Sequence, residues 1–158
     1  LSLYTKLGFD PREPLSCMQG TPMATETPGY PIRPAAEGDL AACNEVCLRV
    51  HGHTRDGEVL DAIRQGTAVV VEHAGRVTGY ATAIAFFAHA VADTNADLQA
   101  LIAAAPAFDG PGFLVPTRNA ALLRWCLTNG LRIVQPMTLM SAGMYRDAEG
   151  AYLPSILY

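Results

Sequence analysis

Cys43, Cys47, His51 and His53 stand in the order Cys-x-x-x-Cys-x-x-x-His-x-His. The first three recur every four residues, so on a helix they share one face. Two thiolates and imidazole make a zinc donor set. Leu40 and Val50 fall on that same face, however, so the spacing favours thiols in a core and no metal, with His51 and His53 capping the helix end at Gly52. His89 ends an apolar stretch and offers either a general base or a structural imidazole. Thr117-Arg118-Asn119 reads as a strand-to-helix turn. Arg118 there could meet a phosphate or carboxylate. Asn119 could touch a ligand or serve as a helix N-cap. Phe86, Phe87, Trp125, Tyr145 and Tyr158 lack the spacing of a base-stacking platform and are assigned to core or domain interface.

The chain around these residues has 158 positions, half of them hydrophobic and 16% charged, which suits one domain plus an extension and excludes disorder. A net charge of −4 with no Lys/Arg cluster excludes a nucleic-acid partner. The longest apolar stretch, Tyr80 to Ala92, is interrupted by Thr82 and His89 and is too short to span a bilayer, so no membrane partner is expected. Four cysteines without a visible secretory signal are expected to be reduced thiols in a cytoplasmic protein. The start at Leu1 leads us to expect a piece of a longer protein.

Periodicity predicts the elements that must position these groups. Residues 20–30, rich in Pro, Gly and Thr, form a linker. Tyr30–Arg33 is a short strand, and Asp39 caps a helix to about Val50. A second helix runs from Asp56 to Arg64 and stops at Gly66. Thr67–His73 and a long strand, Val77–Ala88, form a hairpin about Gly75. Thr94 or Asn95 caps a helix that stops before Pro106. Gly112–Pro116 is a strand, Asn119 caps a helix to Asn129, and Leu131–Met140 and Tyr152–Tyr158 are the last strands.

An internal repeat relates the two ends. Residue n matches residue n+122 without a gap over the first twenty positions. Leu1, Gly8, Pro14 and Met18 equal Leu123, Gly130, Pro136 and Met140. Phe9, Glu13, Leu15 and Ser16 resemble Leu131, Gln135, Met137 and Thr138. Each copy reads as an amphipathic helix ending at Gly, then a strand carrying Pro. So long a period points to duplicated domains. Residues 1–20 are thus the tail of a preceding unit, 21–30 a linker, and 31–158 a complete α/β unit.

The element order β-α-α-β-β-α-β-α-β-β resembles the GNAT acyltransferase superfamily. Leu3-Tyr4-Thr5-Lys6-Leu7-Gly8-Phe9 is similar to that family's LYxKLGF signature; Ile32-Arg33-Pro34-Ala35 with Asp39-Leu40, Gly75 to Tyr80, and Asn119 to Gly130 follow its pattern in order. The resemblance implies an acyl-CoA N-acyltransferase fold, a mixed central sheet flanked by helices. It also implies a two-unit GNAT protein of which this is the C-terminal part, acetyl-CoA as cosubstrate, and a small-molecule or peptide amine as acceptor. In that family the pantetheine lies between two splayed parallel strands and a Gly-rich loop at a helix N-terminus holds the pyrophosphate. A Tyr protonates the leaving thiolate.

Tyr4 occupies that Tyr position in the first copy, and Cys126 the matching position in the complete copy. His89 is a candidate base for the amine, Glu72 a group that could orient it or sit with His73 on a solvated hairpin rim, and Arg118 and Asn119 candidate CoA contacts. The pyrophosphate stretch, His89 to Asp97, departs from the family's Q/R-x-x-G-x-G/A: it has no glycine and puts Asp93 and Asp97 where the anion would sit. The complete unit is therefore expected to be degenerate, supporting the other unit or shaping its acceptor pocket. The alternative is a non-catalytic structural or dimerisation module on the same scaffold, with Leu1–Gly20 docked on its own unit or swapped onto a second copy.

Overall fold

The computed structural model describes residues 1–156; Leu157 and Tyr158, with the aromatic assignment made for Tyr158, lie outside the described residues. The chain opens with α1 (Ser2–Lys6) and β1 (Asp10–Gln19), then β2 (Ile32–Pro34) and a short 3-10 turn leading into α2 (Leu40–His51) and α3 (Asp56–Gln65). β3 (Val69–His73), β4 (Arg76–Ala81), β5 (Ala90–Ala92), α4 (Asn95–Ala104), β6 (Phe113–Pro116), α5 (Ala120–Thr128), β7 (Arg132–Ser141) and β8 (Ala151–Leu153) follow. The strands form two sheets, ordered β2-β3-β4-β5-β8 and β6-β1-β7. This is the expected α/β class, with helices on the sheet faces. All strand pairs are antiparallel, and a lone parallel bridge joins Ala85 to Asp109 among the described residues.

β1 is the inner strand of its sheet. Leu15–Met18 pair with β6 on one side, and Asp10–Gln19 pair with β7 on the other. A proline in a doubly paired strand lacks a donor. Here a register shift between Pro11 and Glu13 absorbs the mismatch, and the Pro14 carbonyl accepts the Thr117 N–H at 2.9 Å. Gly112, at φ +129°, leads into β6 beside this strand; a Cβ there would stand 2.0 Å from the Met18 carbonyl oxygen, so only glycine lets the chains approach.

The β-branched run of β3 turns back into β4 through Ala74 and Gly75, both at positive φ, as a two-residue hairpin requires. The long strand expected over Val77–Ala88 is instead two strands. β4 stops at Ala81, the chain leaves the sheet, and it returns as β5. Thr82 closes that excursion: its N–H donates to the His89 carbonyl, and its hydroxyl accepts the His89 N–H at 3.0 Å. His89 therefore leads into a strand rather than ending one. The stretch between sheet and α4 shrinks to Asp93 and Thr94. The final strand is likewise shorter than expected, Ala151–Leu153.

Both faces of the larger sheet are buried. Val70, Tyr80 and Val91 pack with Cys43, Val46, Cys47 and Val50 of α2 and Val59 of α3. Val71, Ala81 and Ala92 face the other way, onto Leu98, Leu101 and Ile102 of α4 and Leu122 and Cys126 of α5. Adjacent residues pointing to opposite faces give this division. Met18 carries β1 into the second cluster and is fully buried. Met18→Ala removes that contact and is expected to lower the unfolding free energy by about 2–5 kcal/mol, read from urea denaturation. A loss well under about 1 kcal/mol would mean that β1 is not part of the cooperative core.

Candidate functional site

Two cavities lie at opposite ends of β5. The first, about 330 Å³, is lined by Asp93, Thr94, Asn95, Pro116, Arg118, Asn119 and Gly150 to Tyr152. It gathers the sequence-predicted Arg118 and Asn119 with the turn that leads into α4. Its polar groups are engaged with one another. Asp93 pairs with Arg49 at 3.1 Å and Arg76 at 2.8 Å. The Asp97 carboxylate accepts the Thr94 N–H at 3.1 Å and both the Thr94 and Thr78 hydroxyls, while the Thr94 hydroxyl oxygen accepts the Asp97 N–H. This reciprocal capping box satisfies the start of α4 from within. Asn119 accepts the Leu122 N–H, so it is the N-cap of α5, and it exchanges side-chain amide bonds with Asn95 at 2.8 and 3.0 Å.

Arg118 turns inward to Glu13. That carboxylate is only 5% exposed and accepts Arg118 Nε at 2.7 Å, the Tyr145 hydroxyl at 3.3 Å and the Tyr152 hydroxyl. The Arg118 guanidinium is held protonated by Glu13 first, while burial, then Glu13, push the Tyr152 phenol up. β8, which carries Tyr152, pairs with β5 and packs against β6, so it lies between those two strands.

The second cavity, about 620 Å³, opens beside α3 and the 82–89 segment. His89 forms part of its wall. Its ring is 4% exposed, with Nδ1 3.1 Å from Glu58 Oε2 and Nε2 3.1 Å from the Tyr80 hydroxyl. Burial pushes the imidazole below its usual range, although Glu58 opposes the shift. A neutral ring with its proton on Nδ1 donates to Glu58 and accepts from Tyr80. Glu58 is held down to about 2, chiefly by the hydrogen bond from His89 and then by Arg55. Arg55, Glu58, Asp61 and Asp109 belong to this cavity and carried no motif in the sequence. Helical spacing could have placed Glu58 and Asp61 on neighbouring turns of α3.

The remaining predicted residues are placed as follows. Tyr4 is 53% exposed, its ring edge-on to Phe9 at 5.6 Å. Cys126 is fully buried, and burial pushes its thiol up to about 12. Cys43 and Cys47 are buried in the α2 core, with the Cys43 thiol pushed up to about 12 by burial, and His51 is buried edge-on to Tyr152 at 4.9 Å. Glu72 pairs with Arg33, which also grips Asp39, and His73 stacks on Tyr30 at 4.5 Å. Phe86 and Tyr145 pack beside Leu15 and Leu139, while Phe87 is 67% exposed. No helix among the described residues is long and apolar enough to cross a membrane.

No family model matches the chain, and no curated protein matches it. Among solved structures, a crystal structure described as a "Putative Acetyltransferase" from Pyrococcus horikoshii superposes with a TM-score of 0.69 at 14% identity, over 92% of this chain and 51% of that one. At that identity the likeness establishes the fold. The chain spans about half the length of that protein.

The buried imidazoles His51 and His89 give the fold a pH signature. Burial lowers His51 to about 3, against about 6.5 when unfolded. The neutral form is the folded one, so its stabilisation is complete above about pH 6.5 and drains away as pH falls toward 3, by about 1.4 kcal/mol per pH unit for one proton. His89 shifts in the same direction. Urea midpoints should fall between about pH 7.5 and 5, and His51→Leu should flatten that fall. An equal fall in both proteins would contradict the assignment.

Proposed function

We propose that this chain is the C-terminal part of a two-unit GNAT protein that transfers an acetyl group from acetyl-CoA to a small-molecule or peptide amine. In this reading residues 1–20 belong to the preceding unit, 21–30 are a linker, and 31–158 form a unit with no working acyl-CoA site. The parent reaction joins the amine nitrogen to the thioester carbonyl carbon, breaks the C–S bond and releases one proton from the nitrogen. Tyr4 would protonate the departing thiolate in the other unit.

The two copies share local geometry, which supports the duplication. Gly8 and Gly130 both take positive φ, at 88° and 83°. The Phe9 N–H donates to the Tyr4 carbonyl, as the Leu131 N–H does to that of Cys126. The strands of the two copies also pair about a local two-fold axis. Leu15 lies opposite Met137, its own counterpart; Glu13 lies opposite Leu139 and Cys17 opposite Gln135, each pair exchanging counterparts. Such an axis relates two like units that exchange strands. α5 buries Leu122 and Cys126, while Leu3, Tyr4 and Leu7 around α1 stand exposed. That difference fits an α1 whose face belongs on another unit.

The observation that carries the assignment of an inactive unit is β8. Its backbone occupies the seam between β5 and β6 where the resemblance puts pantetheine, and it takes the hydrogen bonds of β5. Asp97 and Thr94 close the start of α4 with their own hydrogen bonds, and Asp93 is taken up by Arg49 and Arg76. Cys126, as a buried un-ionised thiol, acts as packing. Calorimetric titration of acetyl-CoA into this chain is expected to show no saturable binding up to about 1 mM. A protein with both units should bind one acetyl-CoA per chain. Micromolar binding to this chain alone would overturn the reading.

A further inference from the structure

We infer that the outer edge of β7 is the docking site for one strand of the preceding unit, laid antiparallel along Met137–Met140 as β6 lies along Leu15–Met18. The inference rests on the two-unit reading and names the contact that would join the units.

The two-fold relation between β1 and β7 runs the whole length of their pairing. Asp10 faces Ser141, and their counterparts, Arg132 and Gln19, face each other at the far end. The irregularities obey it too. Arg12 is the extra residue between Pro11 and Glu13, which face Met140 and Leu139. Its counterpart, Val134, is the extra residue between Ile133 and Gln135, which face Met18 and Cys17. An accidental pairing of two strands has no reason to match both bulges. Yet the symmetry stops at this pair. β1 has a second neighbour, β6, while β7 ends the sheet among the described residues. The element that the two-fold lacks is a β6-like strand on β7.

The backbone of β7 is set for it. The Pro14 carbonyl accepts the Thr117 N–H, so Pro14 presents its backbone toward β6 and away from β7. Thr138 lies opposite Pro14, so its N–H and C=O point outward, off the sheet. Alternation puts those of Met140, and the carbonyl of Pro136, on the same edge. Such an edge is a template for another strand.

Side chains differ between the copies in the same sense. Ser16 is buried and shares a hydrogen bond with the Thr117 hydroxyl at 2.9 Å, while its counterpart Thr138 is exposed. Met18 is fully buried, while Met140 is half-buried. Leu123 and Trp125 of α5 pack on the cluster that holds Phe113 of β6. Their counterparts, Leu1 and Leu3, are 68% and 65% exposed. A preceding unit seated through that strand would cover this face as well.

Amide hydrogen exchange, read by NMR, tests the contact in two proteins: the 158-residue chain and the longer protein that carries the preceding unit. In the 158-residue chain Thr138 and Met140 should exchange quickly, while Met137 and Leu139, whose backbone faces β1, stay protected. In the longer protein Thr138 and Met140 should slow by at least about 100-fold. Fast exchange of both amides there would overturn the inference. So would slow exchange in the 158-residue chain, and a dimeric mass would then name a second copy as the occupant. Titrating the same longer protein with acetyl-CoA keeps the two claims apart. One bound acetyl-CoA with both amides fast would overturn the strand contact alone. No bound acetyl-CoA with both amides slow would overturn the acyl-transfer reading and support the contact.

Discussion

One carboxylate, Glu13, ties the molecule together. It sits on β1, buried, and it is met by Arg118 from the β6–α5 turn, by Tyr145 from the segment after β7 and by Tyr152 from β8. An ionised carboxylate out of water is costly unless all its lone pairs are met. The three partners come from three parts of the chain, so each must be in place for the charge to be tolerated. That demand fixes where β1 lies between β6 and β7. It also fixes β8, because Tyr152 reaches Glu13 only when β8 runs along β5.

From that constraint follows the contrast between the two ends of β5. At its C-terminal end, polar groups that could have served a ligand serve each other: Asp97 with Thr94, Asn95 with Asn119, Arg118 with Glu13. At its N-terminal end, the Thr82–His89 closure leaves a loop that stands away from the sheet, and His89, bonded to Glu58 and Tyr80, forms part of the wall of the second cavity. The same short strand therefore separates two crevices walled by different parts of the chain.

Much of this was legible in the residues. The hairpin about Gly75, the Asn119 cap and the apolar stripe of α2 follow from local chemistry and appear where spacing puts them. The burial of Cys43, Cys47 and Cys126 also follows from their neighbours on apolar helix faces. The break after Ala81 was not legible, since no Gly, Pro or Asn marks it; a threonine hydroxyl and backbone at His89 make the turn. Nor was the Glu13 cluster, whose members are more than a hundred residues apart from Glu13 in sequence. The residues of the second cavity were missed for the same reason: Asp61 and Asp109 come to line one cavity only through tertiary packing. Local patterns specify elements, while charge networks arise from topology.

The central position of β1 has a consequence for how the chain is made. Its partners in the sheet are β6 and β7, so it leaves the ribosome long before either of them. Contacts of such long sequence separation are slow to form, because much loop entropy is lost before they repay it. Until β7 emerges, β1 lacks at least one of the two neighbours it has in the folded sheet, a state that favours aggregation or rescue by chaperones. The rate at which this protein reaches its native state should thus be governed by the arrival of β6 and β7, while much of the larger sheet between can assemble beforehand.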